Sequence, residues 1–284
     1  MNVLVLGGTG FIGREIVTDL LGHGARVTLF NRGTSALFPG LPRLIGDRES
    51  GEYPSMGGPW DAVVDVSGYV PRHVAQSMAA VGEVGRYLFI SSHVVYAPTG
   101  PGADEDSPRR EPVRDTEFLT DDTYGPCKVA CEDDITARYG DRATIVRPSK
   151  VAGPHDPQHG LVDWLRAVAE GGRVEVSADP AQPVQLVDSR DLARLVTRLL
   201  SDDCGGAFNA CGPTTPLGEL IRLCASAAGT DIDLVRVPDA PGPLLKTDWA
   251  TQHRSSARAH AAGMPVTPVE RTVADVQAWL STCA

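Results

Sequence analysis

The stretch Asn2-Val3-Leu4-Val5-Leu6-Gly7-Gly8-Thr9-Gly10-Phe11-Ile12-Gly13 decides the fold. Its first five residues form a short, nearly continuous apolar run, the pattern of a strand buried on both faces of a parallel sheet. Glycines then recur at 7, 10 and 13, and Ile12, Ile16, Val17, Leu20 and Leu21 carry helical periodicity. Strand, glycine turn and helix in immediate succession suit one ligand chemistry. Glycines let the backbone turn tightly and approach a pyrophosphate, whose charge then sits at the positive end of the new helix. Gly7, Thr9, Gly10, Phe11, Ile12 and Gly13 are therefore candidate dinucleotide-binding residues.

Outward from this turn, strand and helix patterns alternate. Residues 25–30, 44–45, 61–66, 87–92 and 143–147 read as further strands, with helices expected over 71–84 and 123–139. Such alternation predicts an α/β, doubly wound parallel sheet with its ligand at the carboxyl ends of the strands. Residues 1–150 are expected to form the dinucleotide-binding domain, to which a strand near 205–210 returns. Residues 151–284 would form a small, partly interleaved substrate-binding lobe, with helical patterning at 217–228 and 269–280.

Composition excludes several function classes. The chain has 284 residues, 42% hydrophobic and 22% charged, enough for a substantial core. Its formal net charge of −10 opposes attraction to phosphate backbones or anionic membranes, so neither nucleic acid nor a membrane is an expected partner. The opening apolar run breaks at Gly7 with no basic leader, and no stretch reaches membrane-spanning length. Six cysteines contain no Cys-x-x-Cys pair, which fits a reduced, cytoplasmic compartment. A homodimer is compatible with this composition, which does not set the oligomeric state.

Candidate site residues lie at the strand ends. After the second strand the chain reads Asn31-Arg32-Gly33, without the carboxylate that usually binds the adenosine ribose hydroxyls in an NAD site. Arg32, with Arg14, suits a 2′-phosphate, so NADP(H) is preferred; an Arg that merely stacks on adenine would also accept NAD(H). Asp47 could accept from the adenine amino group or simply shape a turn. Ser67 and Gly68 would let the chain pass over a cofactor, and Ser91, Ser92 and His93 end the fifth strand. Ser92 alone could equally be a strand-end cap. Tyr124 and Lys128 lie one helical turn apart on one face, able to address one point in space or to form a plain surface pair.

Together, the glycine turn, Ser91-Ser92-His93-Val94-Val95-Tyr96 and Tyr124-Gly125-x-x-Lys128-x-x-x-Glu132 resemble the extended short-chain dehydrogenase/reductase family, particularly its epimerase/dehydratase-like members. The resemblance covers nearly the whole chain and implies a Rossmann-like fold. It implies catalytic roles for Ser92, Tyr124 and Lys128, a cofactor-side role for Ser91, and cofactor contact at Pro148, with Lys128 also on the nicotinamide ribose. It further implies an NAD(P)-dependent oxidoreductase acting on a hydroxyl or carbonyl of a small metabolite. Tyr124 would move the proton, its phenol acidified by the Lys128 ammonium and oxidised nicotinamide, while Ser92 bonds the substrate oxygen. The alternatives are a sugar-nucleotide epimerase or dehydratase with tightly held NAD, and a cofactor-sensing or RNA-associated relative, since the chain also resembles chloroplast stem-loop-binding proteins.

Two departures weigh against a sugar nucleotide. In Arg147-Pro148-Ser149-Lys150-Val151-Ala152-Gly153-Pro154, Lys150 replaces the family's Asn, and Val184 stands where an Arg commonly grips the diphosphate. His93 and Lys150 remain candidate substrate contacts, Lys150 for an anionic group. Asp188 or Ser189 is expected to cap the following helix. His155 and His159 have a spacing that could bind metal on a helix, but the surrounding Pro154, Pro157 and Gly160 predict a loop, so no metal site is expected.

Overall fold

The computed structural model describes residues 1–240 and 253–283. A seven-stranded sheet runs β10-β6-β5-β4-β1-β2-β3, and every neighbouring pair is parallel. Its strands are β1 (Asn2–Leu6), β2 (Arg26–Asn31), β3 (Arg43–Ile45), β4 (Ala62–Asp65), β5 (Arg86–Ile90), β6 (Ala143–Pro148) and β10 (Gly206–Ala210). Alternate side chains leave a strand on opposite faces, so a sheet covered on both sides needs unbroken apolar runs. In β1, Val3 and Val5 enter one core with Ile16, Leu20, Leu192 and Leu195, from α1 (Phe11–Gly22) and α5 (Ser189–Ser201). Leu4 and Leu6 enter the opposite core with Val74, Met78, Cys131 and Ile135, from α2 (Pro71–Val81) and α3 (Tyr124–Tyr139). This is the Rossmann-like α/β sheet expected from the strand–helix alternation.

Helix α2 stops at Val81, short of the expected residue 84, because Gly82 takes φ 74° and turns the backbone into the left-handed region. The expected cap before α5 falls to Asp188, whose Oδ1 accepts from the Arg190 amide at 2.8 Å, whereas the Ser189 hydroxyl finds no partner among the described residues.

Past β6 the elements are shorter. A three-stranded sheet, β11-β9-β7, combines β7 (Lys150–Ala152), β9 (Pro183–Asp188) and β11 (Thr214–Pro216). A two-stranded parallel sheet pairs β8 (Gly172–Val176) with β12 (Ile232–Arg236). Helices α4 (Gly160–Val168), α6 (Leu217–Ala228) and α8 (Val269–Thr282) close over them around Trp164, Leu165, Leu220, Ile221 and Val273. Helix α7 (Ala257–Ala261) lies against β10. Among the described residues, no helix is long and apolar enough to cross a membrane.

Candidate active site

A cleft of about 990 Å³ opens at the carboxyl ends of the main strands. Its floor begins with the first glycine turn. Gly7 adopts φ +89°, and a Cβ on Gly13 would sit 2.2 Å from the Gly7 carbonyl oxygen, so α1 approaches the turn more closely than any side chain allows. On the cleft side, by contrast, a Cβ on Gly10 would meet nothing nearer than 3.9 Å. No side chain caps α1 at Gly10, and its first turn carries no acidic residue. The helix thus presents uncapped N–H groups and its positive end among Thr9, Gly10, Phe11, Ile12 and Gly13, all on the cleft wall. That cradle fits the pyrophosphate of a dinucleotide.

Asn31 and Arg32 line the same cleft beyond β2, joined by Thr34 and Ser35. Asn31 Oδ1 accepts from the Gly33 amide at 2.9 Å and shapes the turn. The Arg32 guanidinium is exposed and forms no ion pair among the described residues. Asp47 also lines the cleft, but its Oδ1 accepts from the Glu49 amide at 3.0 Å, a turn-shaping bond. Glu49 adds to this wall the carboxylate that residues 31–33 lack, 3.7 Å from His73 Nε2.

At the other end, Ser91, Ser92 and His93 follow β5 and line the cleft with Tyr124 and Lys128. Ser92 Oγ accepts from the Val94 amide at 3.4 Å, capping a short 3-10 turn over His93–Val95, and Ser92 lies near enough to Tyr124 to lower its pKa. The capping role and proximity to Tyr124 therefore coexist in one hydroxyl. Ser91 Oγ is buried without a hydrogen-bond partner among the described residues.

Lys128 is 1% exposed, and its Nζ donates to the carbonyls of Gly68 at 2.7 Å and Ile90 at 2.9 Å. Gly68 thus does not line the cleft; it contributes a carbonyl perch beneath it. The same Nζ lies 4.5 Å from the Phe89 ring centroid, 5.2 Å from Tyr69 and 5.9 Å from Tyr124. Burial lowers the Lys128 pKa to about 8. Burial likewise pushes the Tyr124 phenol up to about 12, with Ser92 pulling the other way. Among the protein's own groups, Ser92 rather than Lys128 is the one that lowers the Tyr124 pKa. The ammonium spends its short bonds on two carbonyls, and desolvation of the phenolate prevails.

Pro148, Ser149 and Lys150 carry the wall onward from β6 into β7. Lys150 Nζ donates to Gln158 Oε1 and lies 3.9 Å from Asp156 Oδ2, while burial depresses its pKa. Asp156, Pro157 and Gln158 also face the cleft. His155 and His159 sit in that loop at φ 70° and 54°, and His155 packs on Trp279 at 4.9 Å between ring centroids. The cleft-facing residues of this segment are the intervening Asp156, Pro157 and Gln158 rather than the two histidines. Tyr69, on the wall beside Tyr124, was equally unmarked by spacing; its only signal was adjacency to Gly68. Val184 lies away from the cleft, 1% exposed inside the smaller core.

The model of the NAD dependent epimerase/dehydratase family matches residues 3–43 and 61–211. Chloroplast stem-loop binding protein of 41 kDa b from Arabidopsis thaliana is 26% identical over 257 residues, covering 80% of this chain but 63% of the plant protein. The dTDP-6-deoxy-L-talose 4-dehydrogenase (NAD(P)(+)) of Kitasatospora kifunensis is 24% identical over 282 residues, covering 87% of this chain and 86% of that enzyme. The fold also matches UDP-glucuronic acid 4-epimerase from Bacillus cereus in complex with NAD, with a TM-score of 0.78 at 15% identity over 99% of both chains. With its family-model match spanning the glycine turn, the strand carrying Ser92 and the helix carrying Tyr124 and Lys128, the chain belongs to the NAD-dependent epimerase/dehydratase family.

Proposed function

We propose that this protein is an NAD(P)-dependent oxidoreductase that transfers hydride at a hydroxyl or carbonyl of a small metabolite. The observation that carries this reading is the convergence of Ser92, Tyr124 and Lys128 at the strand ends, across one cleft from the uncapped glycine turn. A bound nicotinamide supplies the hydride chemistry. Tyr124, protonated at neutral pH, gives its phenolic proton to a carbonyl oxygen in reduction. Ser92 steadies the developing charge on that oxygen, and Lys128, fixed by two carbonyls, addresses the nicotinamide ribose. The exposed Arg32 favours the 2′-phosphate of NADP(H), with Glu49 as the opposing charge on that wall; NAD(H) is the alternative cofactor.

Burial of Val184 inside the smaller lobe and Lys150 in the cleft favour a small anionic substrate over a sugar nucleotide. The acidic balance of −10 speaks against RNA, and six free cysteines suit a reduced cytoplasm.

The test is NADPH and NADH oxidation against a panel of carbonyl compounds, with mass spectrometry of any copurified cofactor. Stoichiometric NADPH consumption is expected. Tightly held NAD that survives turnover unconsumed would instead establish the epimerase or dehydratase outcome. Lys150→Met is expected to raise KM for an anionic substrate about 10- to 100-fold, the loss of one charged hydrogen bond, with kcat little changed. An unaltered KM would remove Lys150 from substrate binding.

A further inference from the structure

Beneath the cleft lies a buried ion pair. Arg48, 7% exposed, meets the fully buried Asp65 through two parallel bonds, Nη1–Oδ1 at 2.5 Å and Nη2–Oδ2 at 2.8 Å. Both members of the pair also bond Ser67. Asp65 Oδ1 accepts from the Ser67 amide at 3.1 Å, and Arg48 Nη1 donates to the Ser67 hydroxyl at 3.0 Å. Backbone and side chain of one residue are thus held from opposite charges. Arg48 also bonds the Ser77 hydroxyl at 2.6 Å and the His73 carbonyl at 3.0 Å, and Tyr87 donates to Asp65 at 2.9 Å.

The residue after Ser67 is Gly68, whose carbonyl holds Lys128. Of the two perches under the ammonium, Ile90 belongs to β5 and is set by the sheet, whereas Gly68 lies in the turn beyond β4. The same turn abuts the first glycine turn: a Cβ on Gly7 would fall 2.8 Å from Ser67 Cβ and Oγ. Arg48 itself lies between Asp47 and Glu49, and all three line the cleft.

We infer that Arg48 and Asp65 are a positioning pair, which fixes the Ser67–Tyr69 turn and through the Gly68 carbonyl sets the Lys128 ammonium where a dinucleotide ribose would meet it. A buried ion pair is a costly way to gain stability, since apolar side chains of similar volume often stabilise as well or better. Apolar side chains could not, however, donate to the Ser67 hydroxyl and accept from its amide together. The inference rests on the reading of Lys128 as part of the active site.

The chain has only three lysines, at 128, 150 and 246, so carbon-13 lysine labelling makes the ammonium directly observable by NMR. Burial is the main cause that lowers the Lys128 pKa; Cys131, Asp65 and Glu132 pull it up and Arg48 pushes it down, around the rings of Tyr69, Phe89 and Tyr124. Asp65→Asn removes one upward pull and leaves Arg48 in place, so the Lys128 midpoint is expected to fall by about half a pH unit or more. Fluorescence titration with NADPH is expected to show affinity weakened about 10- to 100-fold, the loss of a charged hydrogen bond.

Arg48→Met combined with Asp65→Asn removes both charges, and parent-like melting is expected from this folded control while NADPH affinity stays low. A folded variant of either kind with the parent's Lys128 titration and NADPH affinity would overturn the inference. Lys128→Met, which also assigns the resonance, separates the two levels. Unchanged NADPH binding in that variant sinks the reading of Lys128 itself, whereas weakened binding there beside parent-like Asp65→Asn sinks only the positioning pair.

Discussion

Turnover of the Tyr124→Phe variant is expected to fall by about 10²- to 10⁴-fold, the usual contribution of a positioned proton donor. Only the hydroxyl is lost. The ring keeps its place at the start of α3 near Lys128, and Lys128 keeps both carbonyl partners. NADPH affinity, read by fluorescence titration, should therefore stay close to that of the parent. The combination matters, because a misfolded variant would lose both quantities and a removed proton donor only one. Unchanged turnover would refute Tyr124 as the acid. In reduction, activity should also decline as pH rises past about 8, where the Lys128 ammonium loses its proton.

The second large effect concerns stability. Helix α3 is bolted to β6 by Glu132, 1% exposed, which accepts from Arg147 Nε at 3.0 Å and Nη2 at 2.7 Å and from Arg109 Nη1 at 3.0 Å. Arg147 spends Nη1 on the Tyr96 hydroxyl at 2.8 Å and the Glu105 carbonyl at 3.2 Å. Glu132→Ala leaves the Arg147 charge buried against a hydroxyl and a carbonyl alone, and a loss of about 3–5 kcal/mol is expected by urea denaturation. Replacing both members, Glu132→Leu with Arg147→Met, should recover much of that loss, because no unpaired charge then remains inside. A single variant that unfolds within about 1 kcal/mol of the parent would show the pair to be screened like a surface bridge. Glu132 stands one turn beyond Lys128 on the same helix, so the bond that secures α3 also fixes where Tyr124 and Lys128 stand.

Much of the scaffold was legible because its causes are local. The apolar run at Asn2–Leu6 can be satisfied only between two covered faces, and Val3 and Val5 against Leu4 and Leu6 divide between two cores as that pattern requires. The glycine turn was legible for the same reason: Gly7 needs φ +89° and Gly13 has no room for a Cβ, demands written in residue type. Tyr124 and Lys128 share a helix, so their common face followed from spacing alone. The Asp188 cap was visible as one of two neighbours. The smaller sheets were not legible, since strands such as Gly172–Val176 are short, partly exposed and paired with segments far along the chain.

What the sequence determined by itself is therefore the Rossmann-like sheet and the glycine turn, because backbone dihedral demands and hydrophobic periodicity act over a few residues, whereas joining Ser92 to Tyr124 and Lys128 took the family resemblance. Only the tertiary structure decided how those groups are tuned. Lys128 meets carbonyls 60 and 38 residues away, Arg48 finds Asp65 across 17, and burial pushes the Tyr124 phenol up to about 12. Desolvation is the sum of everything packed around a group, and no spacing along the chain encodes that sum.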